Sequence, residues 1–375
     1  MPSPDSSYDQ VVFVQTANYH EARASVQRAV DELGGIGRFV QPGERILIKP
    51  NLLAPTSPDQ AVVTHPEIFR AVAELVIEAG GTALVGDSPP YRSLQKLMEK
   101  TGHLQVARET GVEIVEFRES VEVEIPGPFR KLLVSKEAYD ADGIINLPKL
   151  KTHGQMGLTL AVKNLFGCII GMRKPEWHFR AGSDPELFAT VILGTFTALR
   201  PRLNIVDGIL AMDGDGPGLG GTPVRLGWVV AGTDATAVDY AIAEAVGVKP
   251  ESLPLVRCAQ HQGVQVYPHV QGQFNRPRSF RLPGEKSIVF GPKKLRRIFR
   301  RWFTAQPKAL REACTLCGEC MRYCPAQAMA RPPVTGPVQI DYDRCIRCYC
   351  CLEVCPQGAM EVRGGWFGTI RRPFS

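Results

Sequence analysis

Cysteine is almost missing from the first 313 residues. Only Cys168 and Cys258 stand there, while nine more are crowded between positions 314 and 355. That distribution excludes a secreted, disulfide-stapled chain, whose bridges would be spread along its length, and it points to metal held in one place. Long apolar runs are missing too. No stretch of roughly 18 apolar residues occurs, so no membrane-spanning helix is expected. The opening MPSPDSSYDQ has neither the basic start nor the apolar core of a secretory signal, and the cytoplasm is the expected compartment. Excess charge of one sign is small, +6 over 375 residues and much of it within 293–311, which gives no reason to expect a nucleic-acid partner. There is no Walker A sequence and no G-x-S-x-G elbow. The glycines of GDGPGLGG (214–221) lack the strand-then-helix frame of a dinucleotide site and read as a flexible loop.

What is present falls into unequal parts. Residues 1–290 alternate apolar runs with helical patterns. Strands are expected at 11–16, 45–51, 82–90, 112–117, 141–151, 203–212 and 225–234. Helices are expected at 20–34, 65–81, near 93–101, 185–200 and 235–248, with a hairpin over 121–135 and a buried helix over 157–170. Strands alternating with helices of this length predict an α/β domain with a mostly parallel sheet. Residues 291–311, GPKKLRRIFRRWFTAQPKALR, place Leu295, Ile298, Phe299, Trp302 and Phe303 at helical spacing among Lys and Arg. A basic amphipathic linker helix docked by its apolar face is expected there. A small α+β domain follows over 312–362, then a tail, 363–375.

The small domain carries a doubled motif: Cys314-x2-Cys317-x2-Cys320-x3-Cys324-Pro325 and Cys345-x2-Cys348-x2-Cys351-x3-Cys355-Pro356. Three thiolates at two-residue gaps wrap one cubane, and the fourth lies too far along to close the same cube. Cys314, Cys317, Cys320 and Cys355 are therefore assigned to one 4Fe–4S cluster, and Cys345, Cys348, Cys351 and Cys324 to the other. A tetrahedral zinc site would explain neither the third cysteine of each run nor the trailing Cys-Pro. Cys350, Cys168 and Cys258 fall outside the pattern and read as buried small hydrophobes. The repeat resembles bacterial-type ferredoxins with two 4Fe–4S clusters, which implies low-potential, one-electron transfer and a redox partner protein as donor or acceptor.

In the large domain, polar segments stand where predicted strands end, which is where open α/β sheets place ligands. They include Lys49, Asp87, Lys149, Lys151, His153, Lys163, Asp207, Asp213 and Asp215. The lysines and His153 suit an anionic small molecule, and the aspartates suit proton transfer or a hard metal ion. His153, Lys163, Lys149, Lys151 and Asp87 are the candidate catalytic set. The ordered segments IKPNLL, HPE, GDSP, LPKLKTH, GLTLAVKNLFG, VDGI with GDGPG, and GTDATAVD resemble the domain-of-unknown-function family 362 over about residues 10–260. That family is often fused to a 4Fe–4S ferredoxin tail, and its activity is unassigned. The ten-residue interval from His153 to Lys163 is similar to a segment of lactate-racemase-type enzymes, where a histidine and a lysine serve a nickel-pincer cofactor. It serves here as a clue to the fold, and no nickel cofactor is inferred.

The expected function is iron–sulfur electron transfer, with the tail relaying electrons to redox chemistry on an anion bound in the α/β domain. The alternatives are a non-enzymatic electron-transfer or assembly protein that binds a redox partner, and an enzyme whose tail is structural or redox-sensing. Anaerobically purified protein should carry about eight irons and eight acid-labile sulfides per chain; stoichiometric zinc after anaerobic reconstitution would sink the assignment. Cys324→Ala should damage the cluster of Cys345, Cys348 and Cys351 rather than that of its sequence neighbours, and Cys350→Ser should spare both.

Overall fold

The computed structural model describes residues 9–90, 93–264, 266, 268–283 and 306–363. Among the described residues, twelve strands build the large domain: β1 (Gln10–Gln15), β2 (Arg45–Pro50), β3 (Thr82–Val85), β4 (Glu113–Ile114), β5 (Ser120–Glu124), β6 (Lys131–Ser135), β7 (Gly143–Leu147), β8 (Lys149–His153), β9 (Gly157–Thr159), β10 (Leu203–Gly214), β11 (Gly221–Gly232) and β12 (His269–Gln271). The central sheet runs β12-β1-β11-β10-β7-β2-β3-β4, with β8 added to β10 and β9 to β8, while β5 and β6 form the expected hairpin apart. Pairing is parallel from β10 through β7, β2 and β3 to β4, and antiparallel where β11 lies between β1 and β10.

Alternation along the strands divides the core into two layers. Val12, Val14, Ile46 and Ile48 face the helices Ala22–Asp31 and Pro66–Glu78. Val11, Phe13 and Leu47 face the helices Pro185–Leu199 and Ala235–Ala245. Both faces of the sheet are thus covered, which is why RILIKP and GIINL read as nearly continuous apolar runs. The helix starts follow local chemistry: Asp184 and Asp234 accept N–H bonds in the first turns of their helices, and Pro66 and Pro185 open helices where no N–H is needed.

Several expectations need correction. The run 141–151 is two strands, because Pro148 cannot donate to a ladder; its carbonyl instead accepts the Asp207 N–H at 2.9 Å, and the chain re-pairs as β8. Residues 157–170 are not one buried helix. They form β9, a single helical turn (Ala161–Asn164) and a 3-10 turn (Leu165–Cys168). The segment is drawn across the strand ends by outside partners: the Asp239 carboxylate takes the Ala161 N–H at 2.7 Å, and Asn164 reaches the Lys49 carbonyl at 3.0 Å. The strand expected at 112–117 shrinks to β4 at the sheet edge. Helices Arg173–Ala181 and Pro254–His261 were not anticipated.

The small domain adds β13 (Gln306–Ala309), β14 (Met329–Ala330), β15 (Gln339–Ile340) and β16 (Met360–Arg363) as two antiparallel pairs, with one-turn helices Glu319–Tyr323 and Cys350–Glu353. Most of the amphipathic helix expected at 291–311, with its proposed anchors Leu295, Phe299 and Trp302, lies outside the described residues. Its expected end, 306–309, is the strand β13, because pairing with β16 satisfies both backbones. Among the described residues no helix is long and apolar enough to cross a membrane.

A chain of buried amides ties the strand ends together. Lys151 Nζ donates to Asn51 Oδ1, Asn51 Nδ2 to Asn164 Oδ1, Asn164 Nδ2 to Asn146 Oδ1, and Asn146 Nδ2 to Asn204 Oδ1, all at 2.8–3.0 Å. Asn146→Leu would strip a partner from one Asn164 N–H, from the Asn204 side-chain oxygen and from the Ala161 carbonyl, out of water, a cost of ~1–3 kcal/mol. Urea unfolding should show that loss at unchanged m value; a change below about 0.5 kcal/mol would mean the chain is dispensable.

Candidate functional site

The polar cluster grows from the carboxyl ends of β2, β3, β7 and β8. Lys49, near the end of β2, is fully buried and pairs with Asp87, just past β3, at 3.0 Å. Asp87 also accepts the Leu52 N–H at 2.9 Å, so its oxygens are committed to holding the strand ends. Gly167 makes room for this pair: a Cβ there would stand 2.5 Å from Asp87 Oδ1 and 2.7 Å from Lys49 Nζ. Around them opens a cavity of about 70 Å³. Lys163, Lys174 and His178 line it from the large domain, and Tyr323 and Glu353 line it from the small one.

The charges at this cavity are set by burial. Lys174 is pushed down to about 8 by burial, and its Nζ donates to the Ser88 carbonyl. His178 is pushed down to about 3 by burial and is neutral, with an Nδ1 that meets no partner among the described residues. His153 is likewise held at about 4 by burial, with Lys163 adding to the effect. His153 Nδ1 accepts the N–H groups of Gln155 and Met156, so the ring proton sits on Nε2 and is donated to Glu353 Oε1 at 2.8 Å. Burial alone would raise Glu353, but the Lys163 ammonium and the hydrogen bond from His153 hold its carboxyl well below the usual range. This bond joins β8 to the cysteine-rich tail across the domain boundary.

Of the candidate set, Lys163 and Asp87 line the cavity directly, and His153 reaches it through Glu353. Lys151 sits behind, its ammonium spent on Asn51 and the Val62 carbonyl, and burial lowers it well below the ordinary value. Lys149 does not join them. Its Nζ is bound to Asp207 at 2.7 Å and to the Tyr19 hydroxyl at 2.9 Å. The reason is strand geometry: Lys149 and His153 share a face of β8 but stand about 13 Å apart along it. Asp213 is buried and committed to Arg281, which covers it at 2.7 Å. Sequence reasoning missed Lys174, His178, Tyr323 and Glu353. Lys174 and His178 were legible as an i,i+4 pair on one helical face; Glu353 was hidden inside the cysteine motif.

In the small domain, Cys314, Cys317, Cys320 and Cys355 line one cavity. Burial and then the neighbouring Cys355, Cys317 and Cys314 push the Cys320 thiol up to about 11. Cys351 is raised by burial and by a different company, Cys348, Cys345, Cys320 and Cys324. Cys355 therefore sits with the first run, and Cys324 near the second. Backbone N–H groups of Ala328 and Ala359 point at the sulfurs of Cys324 and Cys355, at 3.3 and 3.2 Å. Cys350 is buried and hydrogen-bonded to the Cys348 side chain, a closer tie to the motif than its sequence position suggested. Cys168 and Cys258 are buried thiols pushed up to about 12 and about 11 by burial, as expected of inert packing residues. Among the described residues, no three His, Cys, Asp or Glu side chains converge as a single-ion site requires.

Fold and cysteine pattern together define an α/β protein fused to an iron–sulfur domain, and comparison with known proteins names the parts. Residues 306–356 match the 4Fe-4S dicluster domain, and residues 46–244 match the domain of unknown function DUF362. A thylakoid-associated protein of Synechocystis is 38% identical over 288 residues, covering 75% of this chain and 89% of that protein. The chain belongs to the DUF362 family. A sulfite dehydrogenase component of Allochromatium vinosum is 42% identical over 53 residues, 14% of this chain and 22% of that protein. The lactate racemase apoprotein of Thermoanaerobacterium thermosaccharolyticum aligns at a TM-score of 0.37 and 13% identity, over 63% of this chain and 57% of that one, too loosely to transfer any residue role.

His65, His103, His153 and His178 are all depressed by burial, to about 4, 3, 4 and 3. As pH falls below about 6.5 the unfolded chain takes up these protons first, so stability should fall from there down toward pH 4. His103 alone contributes up to about 1.4 kcal/mol per pH unit in that window. Denaturant midpoints measured against pH should show the slope, and His103→Phe should flatten it; a slope the substitution leaves unchanged would overturn this assignment.

Proposed function

We propose that this protein is an iron–sulfur redox protein that exchanges electrons with a small anion held in the cavity between its two domains. In this reading Cys314, Cys317, Cys320 and Cys355 hold one 4Fe–4S cluster, and Cys345, Cys348, Cys351 and Cys324 hold the second. The thiols fit such a group: Cys320, Cys345 and Cys351 are raised by burial and by the cysteines beside them, a state relieved by ionising onto metal. They also receive N–H donors of the kind that tune cluster sulfurs. The clusters, when bound, supply one-electron chemistry.

The observation that carries the reading is the shared wall of the cavity. Lys163 and Lys174 come from the large domain, and Tyr323 and Glu353 come from the segments that bear Cys324 and Cys351. With Lys49 balanced by Asp87, and Glu353 facing Lys163, Lys174 leaves the cavity with positive charge to spare. The chain's own residues then have distinct tasks. Lys163 and Lys174 bind and orient the anion. Phe166 and Tyr323 exclude water, and His178 offers a neutral ring nitrogen. His153 keeps Glu353, and with it the small domain, in register. A redox partner protein would supply or remove the electrons.

Isothermal titration of the anaerobic protein with inorganic phosphate and with acetate tests the anion site. Lys163→Ala should weaken whichever binds by on the order of tenfold, about 1.4 kcal/mol, and leave the visible absorption of the clusters unchanged. Binding that survives Lys163→Ala intact would overturn the assignment, and loss of the absorption would make Lys163 a structural residue.

A further inference from the structure

The two cysteine sets stand in unequal surroundings. Cys317 is exposed, and the half-buried Cys314, Cys320 and Cys355 share its cavity with Thr315, Leu316 and Gln357, at the surface of the small domain. In the other set Cys345 and Cys324 are half-buried and Cys348 and Cys351 are 8% and 7% exposed, so Cys317 has no exposed counterpart there. Tyr323 packs in one buried apolar cluster with Cys348 and Cys350, the half-buried Cys320 lying against it, and it also lines the cavity that Lys163 and Lys174 share. Glu353 repeats this from the other side, on one helical turn with Cys350 and Cys351, two residues before Cys355 and in the same cavity wall. The loop after β8 presses on this set as well: a Cβ on Gly154 would stand 3.3 Å from the Tyr349 ring.

We infer that the two cluster sites are used in a fixed order. This rests on the reading above and adds a direction in space to it. The site of Cys345, Cys348, Cys351 and Cys324 is the inner port, in contact with the cavity through Tyr323 and Glu353. The site of Cys314, Cys317, Cys320 and Cys355 is the outer port, where a one-electron carrier protein docks over Thr315, Leu316 and Gln357. Each hop moves one electron and no atom. A reduced carrier loses an electron at the outer port, the electron passes to the inner port, and the cavity ligand gains it; the reverse sequence oxidises the ligand and reduces the carrier. Tunnelling falls steeply with distance, so a carrier at the exposed face reaches the inner port only by way of the outer one.

Redox titration of the reconstituted full chain, followed by electron paramagnetic resonance, tests the order without a substrate. Glu353→Gln keeps an oxygen that can accept the His153 Nε2–H and removes a negative charge beside the inner port. It should raise the midpoint potential of one cluster signal and leave the other in place. Gln357→Glu adds a negative charge at the exposed face and should lower the potential of the second signal only. On rapid-freeze mixing with reduced flavodoxin, the first electron should appear in the signal that Gln357→Glu moves. The inference is overturned if both substitutions move the same signal, if Glu353→Gln moves both equally or neither, or if the first electron appears in the signal that Glu353→Gln moves. Failure of the anion titration with Lys163→Ala would remove the cavity reading and leave this pattern of potentials intact, so the two are separable.

Discussion

Lysine ammonium groups taken out of water at the carboxyl ends of a sheet are the constraint on which the rest of this structure depends. Lys49, Lys149 and Lys151 are at most 1% exposed. A buried charge without a partner costs several kcal/mol, so each fixes the position of something else. Lys49 fixes Asp87 and thereby the exit of β3. Lys149 fixes Asp207 and Tyr19. Lys151 anchors the amide chain that runs through Asn51, Asn164 and Asn146 to Asn204. The segment 157–168 follows from this arrangement: it cannot be a helix and also deliver Asn164 to two strands. The cavity is the space left over, walled in part by groups already paired, such as Lys49 with Asp87, and in part by His178, whose Nδ1 meets no partner among the described residues.

The small domain docks by completing the same arrangement. Its Glu353 is the counter-charge that the region of Lys163 and Lys151 lacks, and it is received by a histidine whose tautomer two backbone N–H groups have fixed. The glycine-rich loop between β10 and β11, expected to be merely flexible, is a contact surface: a Cβ on Gly218 would stand 2.6 Å from the Leu352 carbonyl. Its glycines serve close approach of one backbone to another. Electrostatics and shape thus bring the cysteine-rich segment to the same strand ends that gather the lysines.

Much of this could be read in the chain. Nearly continuous apolar runs such as VVFVQ and RILIK mark strands buried on both faces, and Asp184-Pro185 and Asp234 mark helix starts, because these signals are local. The doubled Cys-x2-Cys-x2-Cys-x3-Cys-Pro run is local as well, and it names its chemistry by spacing alone. The errors fell where a distant partner decides. Pro148 splits a strand according to which neighbour is free to pair. Asp239, far along the chain, caps the turn at Ala161, and 306–309 becomes a strand because 360–363 lies beside it.

The sequence by itself determined the α/β alternation, the metal chemistry of the tail and the presence of basic groups at strand ends, since each is written in residue type and short-range spacing. Only the tertiary structure decided which of those groups meet. Lys149 and His153 lie on one face of one strand, yet they serve different clusters because that strand is longer than a hydrogen bond can bridge. Lys163 and Glu353 are 190 positions apart in the sequence, yet share one cavity because the small domain docks on the strand ends. Long-range charge pairing leaves no periodic trace in a sequence; it exists once the sheet has fixed where each side chain can reach.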